Sequence, residues 1–144
     1  MADIRVMRDA LPPKEPPRRH LISIDDLTED DVSRLLGTAR SFERSLEREV
    51  KKLPTLRGRT IINLFYESST RTSSSFELAA KRLSADTMSI KASGSSVDKG
   101  ESLKDTVQTL SAYDPAAIVI RSPHAGAAAL VARWTSAAVI NAGD

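Results

Sequence analysis

The chain has 144 residues and no cysteine, so neither a disulfide framework nor a thiolate metal site can be built from it. The expectation is a protein of the reducing cytoplasm. It has two histidines, His20 and His124, too far apart in sequence to suggest a ligand pair. Aromatic residues make up only 4% of the chain, and none is interleaved with a basic stripe. The net charge is +2, although the pI is near 9.1. Such a composition argues against a nucleic-acid partner. No apolar run is long enough for a membrane span or a signal peptide, so no membrane partner is expected. The glycine patterns of the phosphate loop and of dinucleotide-binding turns are missing. So are paired carboxylates, a nucleophile–base pair and a metal-ligand cluster. What remains is ordinary globular composition, 40% apolar and 28% charged, in a length that suits one domain.

Residues 1–19 contain "LPPKEPPRR", rich in proline and charge, and are expected to be a disordered extension. "LTEDDVSRLLGTARSFERSLEREV" (27–50) predicts an amphipathic helix, with Val32, Leu35, Leu36, Ala39, Phe42 and Leu46 at helical spacing. Thr28 is its expected N-cap, with Asp31 three residues on. Then an alternation begins. Strands are expected at 60–66, 87–92, 116–121 and 137–144, the last running to the chain end. Helices are expected at 70–83, 101–113 and 125–134. The helix over 70–83 would turn Phe76, Ala79, Ala80 and Leu83 to one face. This rhythm predicts an α/β fold, a doubly wound parallel sheet of about four strands with flanking helices on both faces. In such sheets ligands lie beyond the carboxyl ends of the strands.

Three polar clusters fall at those ends: "SSTRTSSS" (68–75), "SGSSVDKGES" (93–102) and "RSPH" (121–124). The first puts seven hydroxyls and Arg71 at a helix start, where free N–H groups and the helix dipole favour an anion. Arg71 adds a planar fork suited to phosphate or carboxylate. The same residues read equally well as helix caps that need no ligand. The second cluster carries Lys99 on a Gly/Ser loop, which could equally be solvated surface. The third begins with Arg121, which could equally reach from a strand end to water. Together Arg71, Lys99 and Arg121 could offset a doubly charged phosphate. Each unit-charge pair is worth roughly 4 kcal/mol before desolvation at an effective dielectric near 20.

The stretches "FYESSTRTSSSFELAAKRL", "GSSVDKGESLKDTVQTL", "IVIRSP" and "VINAGD" resemble the N-terminal half of aspartate carbamoyltransferase catalytic chains, and the resemblance covers residues 20–144. Ser-Thr-Arg-Thr marks the carbamoyltransferases as a group. Ser95 with Lys99 in "SSVDKGES" is the form typical of the aspartate enzymes, whereas the ornithine enzymes usually carry a glutamine-containing loop. The resemblance implies that 20–144 is a carbamoyl phosphate-binding domain. It implies that Ser69, Thr70, Arg71 and Thr72 hold the phosphate, and that Arg71 faces the bridging oxygen. Thr72 and Arg121 would reach the carbonyl oxygen. Ser95 and Lys99 would enter the site of a neighbouring chain in a homotrimer. No cofactor or metal is implied. The reaction implied is carbamoyl transfer to L-aspartate, in pyrimidine biosynthesis, with a regulatory chain or a dihydroorotase compatible as further partner.

The sequence departs from the family pattern at Ser73, often arginine, and at Ser122, often histidine. The His-Pro-Thr-Gln motif and the aspartate domain that follow in the family lie beyond "NAGD", so the 144 residues alone are expected to be inactive. Two alternatives stay open: a non-catalytic anion-binding or assembly module, and another carbamoyltransferase such as the ornithine enzyme.

Overall fold

The computed structural model describes residues 20–92 and 102–144. The expected extension 1–19 and the loop bearing Ser95 and Lys99 lie outside the described residues. Helix α1 spans Glu29–Ser45 and is followed by strand β1, Thr60–Phe65. Helix α2, Thr70–Arg82, leads to β2, Asp86–Lys91. Helix α3, Leu103–Ser111, precedes β3, Ala117–Arg121. Helix α4, Ala127–Trp134, precedes β4, Ala138–Asn141. A single 3-10 turn, Ile24–Asp26, stands before α1.

The four strands form one parallel sheet in the order β2-β1-β3-β4. β1 and β3 are central and buried along nearly their whole length, as their continuous apolar sequences require. Alternate side chains feed two cores. Ile62, Leu64, Ile118, Ile120 and Val139 pack with Val107 and Leu110 of α3 and Val131 of α4. Ile61, Phe65 and Val119 pack on the opposite face with Ala80 and Phe76 of α2. Each fully buried Val, Leu or Ile contributes roughly 1.5–3 kcal/mol. The expected doubly wound sheet, with helices on both faces, is therefore the observed architecture.

Three local expectations change. The strand expected over 137–144 stops at Asn141, because the Asn141 side chain accepts the Gly143 N–H at 2.9 Å and Gly143 adopts φ +131. That φ takes the chain out of extended geometry. Ala79, expected to face inward, is exposed and lines an open groove of about 470 Å³ between α1 and α2, with Phe42, Leu46, Leu78 and Leu83. The apolar stripe of α1 is also largely exposed, at Leu35 and Leu36 in particular.

The open edge of β4 is covered by residues 20–22, which the sequence pattern did not mark as extended. Leu21 bridges Ile140 in parallel, and the backbone pairs Leu21 with Val139 and Asn141 at 2.8 Å each. His20 Nδ1 accepts the Val139 N–H at 3.0 Å, so this histidine is engaged in the sheet edge. Among the described residues no helix is long and apolar enough to cross a membrane.

Candidate functional site

The strand order decides where a ligand can enter. β1 crosses over through α2 to β2 on one side, while β3 crosses through α4 to β4 on the other. The winding therefore reverses between β1 and β3, and in folds of this kind ligands bind beyond the carboxyl ends of the strands at such a switch point. Tyr66 N–H donates to the Arg121 carbonyl at 2.8 Å and ties those two ends together. Tyr66 and Glu67, just before the start of α2, thus meet Arg121 at one rim. The chain leaves β2 at the same edge, since Ala92 N–H donates to the Phe65 carbonyl at 3.0 Å.

At this rim the start of α2 differs from the capped starts of α1 and α3; α4, which follows Gly126, also lacks a side-chain cap and a first-turn acid, but only α2 of the two carries a cation in its first turn. α1 has a full capping box: Thr28 Oγ1 accepts the Asp31 N–H at 3.2 Å, and Asp31 Oδ2 accepts the Thr28 N–H at 2.9 Å. Glu29, Asp30 and Asp31 place negative charge in its first turn. α3 is capped by Ser102, whose Oγ accepts the Asp105 N–H at 3.1 Å. α2 begins after Ser69, whose side chain makes no capping bond, and its first turn holds no acid. Its first intrahelical bond runs from Ser73 N to Ser69 O at 3.0 Å. The N–H groups of Thr70, Arg71 and Thr72 come before it and point out of the helix start. Ser75 bonds back to the Arg71 carbonyl at 2.8 Å, and Ser74 is exposed within the helix. Reading the serines as caps therefore fails at the one position, Ser69, where a cap would act. Arg71 is exposed in the first turn, a cation at the end of the dipole that favours anions.

Arg121, half-buried, ends β3. Its Nε donates to Glu67 Oε2 at 3.3 Å and its Nη1 to the Ala142 carbonyl at 3.0 Å. The remaining N–H groups of the fork meet no acceptor among the described residues. Ser122, next along, is buried and accepts the His124 N–H at 3.2 Å. The sequence reading assigned no role to Glu67, Ala142 or Gly143. The pairing of Glu67 with Arg121 spans 54 positions, so no local spacing could have announced it. Away from the rim, Lys81 donates to Glu77 at 2.9 Å. That hydrogen bond, with the lysine's charge, holds the exposed Glu77 carboxyl below the ordinary carboxylate range. Among the described residues no group of three or more His, Asp or Glu is placed to hold a metal ion.

Fold and rim together define a doubly wound α/β domain with a cationic, acid-free helix start at its switch point. Residues 19–144 match the family model described as aspartate/ornithine carbamoyltransferase, carbamoyl-P binding domain, and the chain belongs to that family. It is 60% identical over 126 residues to the aspartate carbamoyltransferase catalytic subunit of Acidothermus cellulolyticus, covering 88% of this chain and 39% of that one. The corresponding subunit of Mycolicibacterium smegmatis is 57% identical over 134 residues, covering 88% and 42%. Among solved structures, the catalytic subunit of M. jannaschii aspartate transcarbamoylase matches with TM-score 0.80 and 41% identity, covering 88% of this chain and 41% of that one. The Trypanosoma cruzi enzyme in complex with carbamoyl phosphate and aspartate matches with TM-score 0.80 and 32% identity, covering 93% and 41%. The chain therefore spans about two fifths of the length of the relatives it matches.

Proposed function

We propose that residues 20–144 are the carbamoyl phosphate-binding domain of an aspartate carbamoyltransferase catalytic chain. The observation that carries the reading is the uncapped, acid-free start of α2 with Arg71 in its first turn. A phosphate there accepts from the Ser69 and Thr70 hydroxyls, from the free N–H groups of the first turn and from the Arg71 fork. Arg71 faces the bridging oxygen, where negative charge grows as the phosphate leaves. Thr72 and Arg121 donate to the carbonyl oxygen and stabilise the oxyanion that forms when an amine attacks. The amine of L-aspartate bonds to the carbonyl carbon, the C–O bond to phosphate breaks, and the proton lost from the amine leaves with the phosphate. The products are N-carbamoyl-L-aspartate and phosphate, a step of pyrimidine biosynthesis. Every step is positioning and electrostatics, so no cofactor is called for. Ser95 and Lys99 complete the site from a neighbouring chain of a homotrimer in the cytoplasm. The aspartate-binding half lies in the part of the relatives that this chain does not match.

The test is calorimetric titration of the chain with carbamoyl phosphate and with inorganic phosphate. Arg71→Ala should weaken binding roughly tenfold or more, the loss of a hydrogen bond to a charged group worth roughly 1.5–3 kcal/mol. Ser74→Ala, outside the first turn, should bind as wild type does. Equal losses, or no loss in Arg71→Ala, would remove the phosphate from this helix start.

A further inference from the structure

The guanidinium of Arg121 lies against the Cα of Gly143. A Cβ placed on Gly143 would stand 2.7 Å from Arg121 Nη1, 3.1 Å from Cζ and 3.6 Å from Nε. The first distance is shorter than any contact the two atoms could keep. The part that would give way is the end of a flexible side chain, so the backbone could stay while the guanidinium moved. The turn holding Gly143 is itself fixed. Asn141 Oδ1 accepts the Gly143 N–H at 2.9 Å, and the Gly143 carbonyl accepts the Ser122 N–H at 3.1 Å. The neighbouring carbonyl, of Ala142, is one of the two groups that hold Arg121; the Glu67 carboxylate is the other.

We propose that Gly143 is a positioning residue for Arg121: the missing side chain at 143 is what lets the guanidinium lie across the turn and take its bonds to Ala142 and Glu67. The inference rests on the reading above, in which Arg121 donates to the carbonyl oxygen of carbamoyl phosphate. A guanidinium displaced by the width of a methyl group loses that aim. Any L residue at φ +131 is also strained, so the experiment must separate strain from the placement of Arg121.

The test follows Gly143→Ala in the 144-residue chain by two measurements. The first is the Nε–Hε signal of Arg121 in ¹⁵N-arginine NMR spectra, identified by its loss in Arg121→Lys. It should move in Gly143→Ala. The second is a double-mutant cycle in carbamoyl phosphate affinity. Gly143→Ala should weaken binding about tenfold in the wild-type background, the effect of ~1.4 kcal/mol. It should cost nothing further in the Arg121→Lys background. An unmoved Nε–Hε signal, or the same affinity loss in both backgrounds, overturns the proposal. If Arg121→Lys binds carbamoyl phosphate as wild type does while the signal still moves in Gly143→Ala, the positioning stands and the ligand contact of Arg121 falls. Should Gly143→Ala fail to fold, the variant Gly143→Ala/Arg121→Ala decides. Recovery of folding on removing the guanidinium supports the proposal, and continued failure assigns Gly143 to backbone strain alone.

Discussion

Asn63 sits fully buried in the middle of β1, between Ile61 and Phe65 on the α2 side of the sheet. Neither atom of its side-chain amide meets a partner among the described residues. A buried amide without partners costs roughly 1–3 kcal/mol. Asn63→Val should therefore raise the urea midpoint, by an amount corresponding to roughly 1–3 kcal/mol, and leave phosphate binding unchanged. A lower midpoint would mean that the amide does polar work in this core. The contrast with Arg121 is instructive at this scale. Both are polar residues within apolar strands, and the sequence shows each as an interruption. The fate of each depends on groups far along the chain, Glu67 and Ala142 for Arg121, and these become neighbours only when β1, β3 and β4 align. The kind of residue needed at the rim was legible; what holds it there was not.

Helices carry the same lesson in their first turns. Thr28 and Asp31 could be recognised as a cap because a capping box is a local pattern four residues long, and the structure contains both of its bonds. The four strands and the helices between them were legible for a related reason, since their apolar periods are local. Their ends were less so: β4 stops where Asn141 bonds to Gly143, a side-chain choice that no period encodes. The serines before α2 looked like caps as much as a binding site, and only the geometry of Ser69 separates the two. That separation makes a prediction. Thr28→Ala should lower stability by about 1 kcal/mol, the ordinary loss of a cap. Ser69→Ala, which removes no capping bond, should leave stability within about 0.5 kcal/mol of wild type, and should weaken phosphate binding instead. Thermal melts with and without phosphate read both effects. A Ser69→Ala chain destabilised as much as Thr28→Ala, with its phosphate affinity intact, would return Ser69 to the role of a cap.

For the whole molecule the question is how a site on this domain balances the charge of its ligand. The ligand proposed for it, carbamoyl phosphate, brings close to two negative charges. In the proposed site Arg71 supplies one positive charge, and that of Arg121 is shared with Glu67 at 3.3 Å. Counted over the described residues, one unpaired cation beside that ion pair leaves such a ligand under-compensated, and each missing unit-charge pair forfeits roughly 4 kcal/mol before desolvation at an effective dielectric near 20. A further cation is needed, and Lys99, in the second polar cluster, is the candidate proposed to come from a neighbouring chain. A lysine suits that task, because it reaches a phosphate as a point charge without the strict geometry of a guanidinium fork. A head-to-tail ring would give each site one such residue. In a full-length catalytic chain carrying this sequence, Lys99→Ala and Arg71→Ala should each be nearly inactive alone. Refolded together, they should regain part of the carbamoyl transfer to aspartate, since some interfaces then pair an intact Arg71 with an intact Lys99 from the next chain. If the mixture stays as inactive as its components while wild type recovers in the same protocol, Lys99 serves its own chain and the charge must be balanced within one domain.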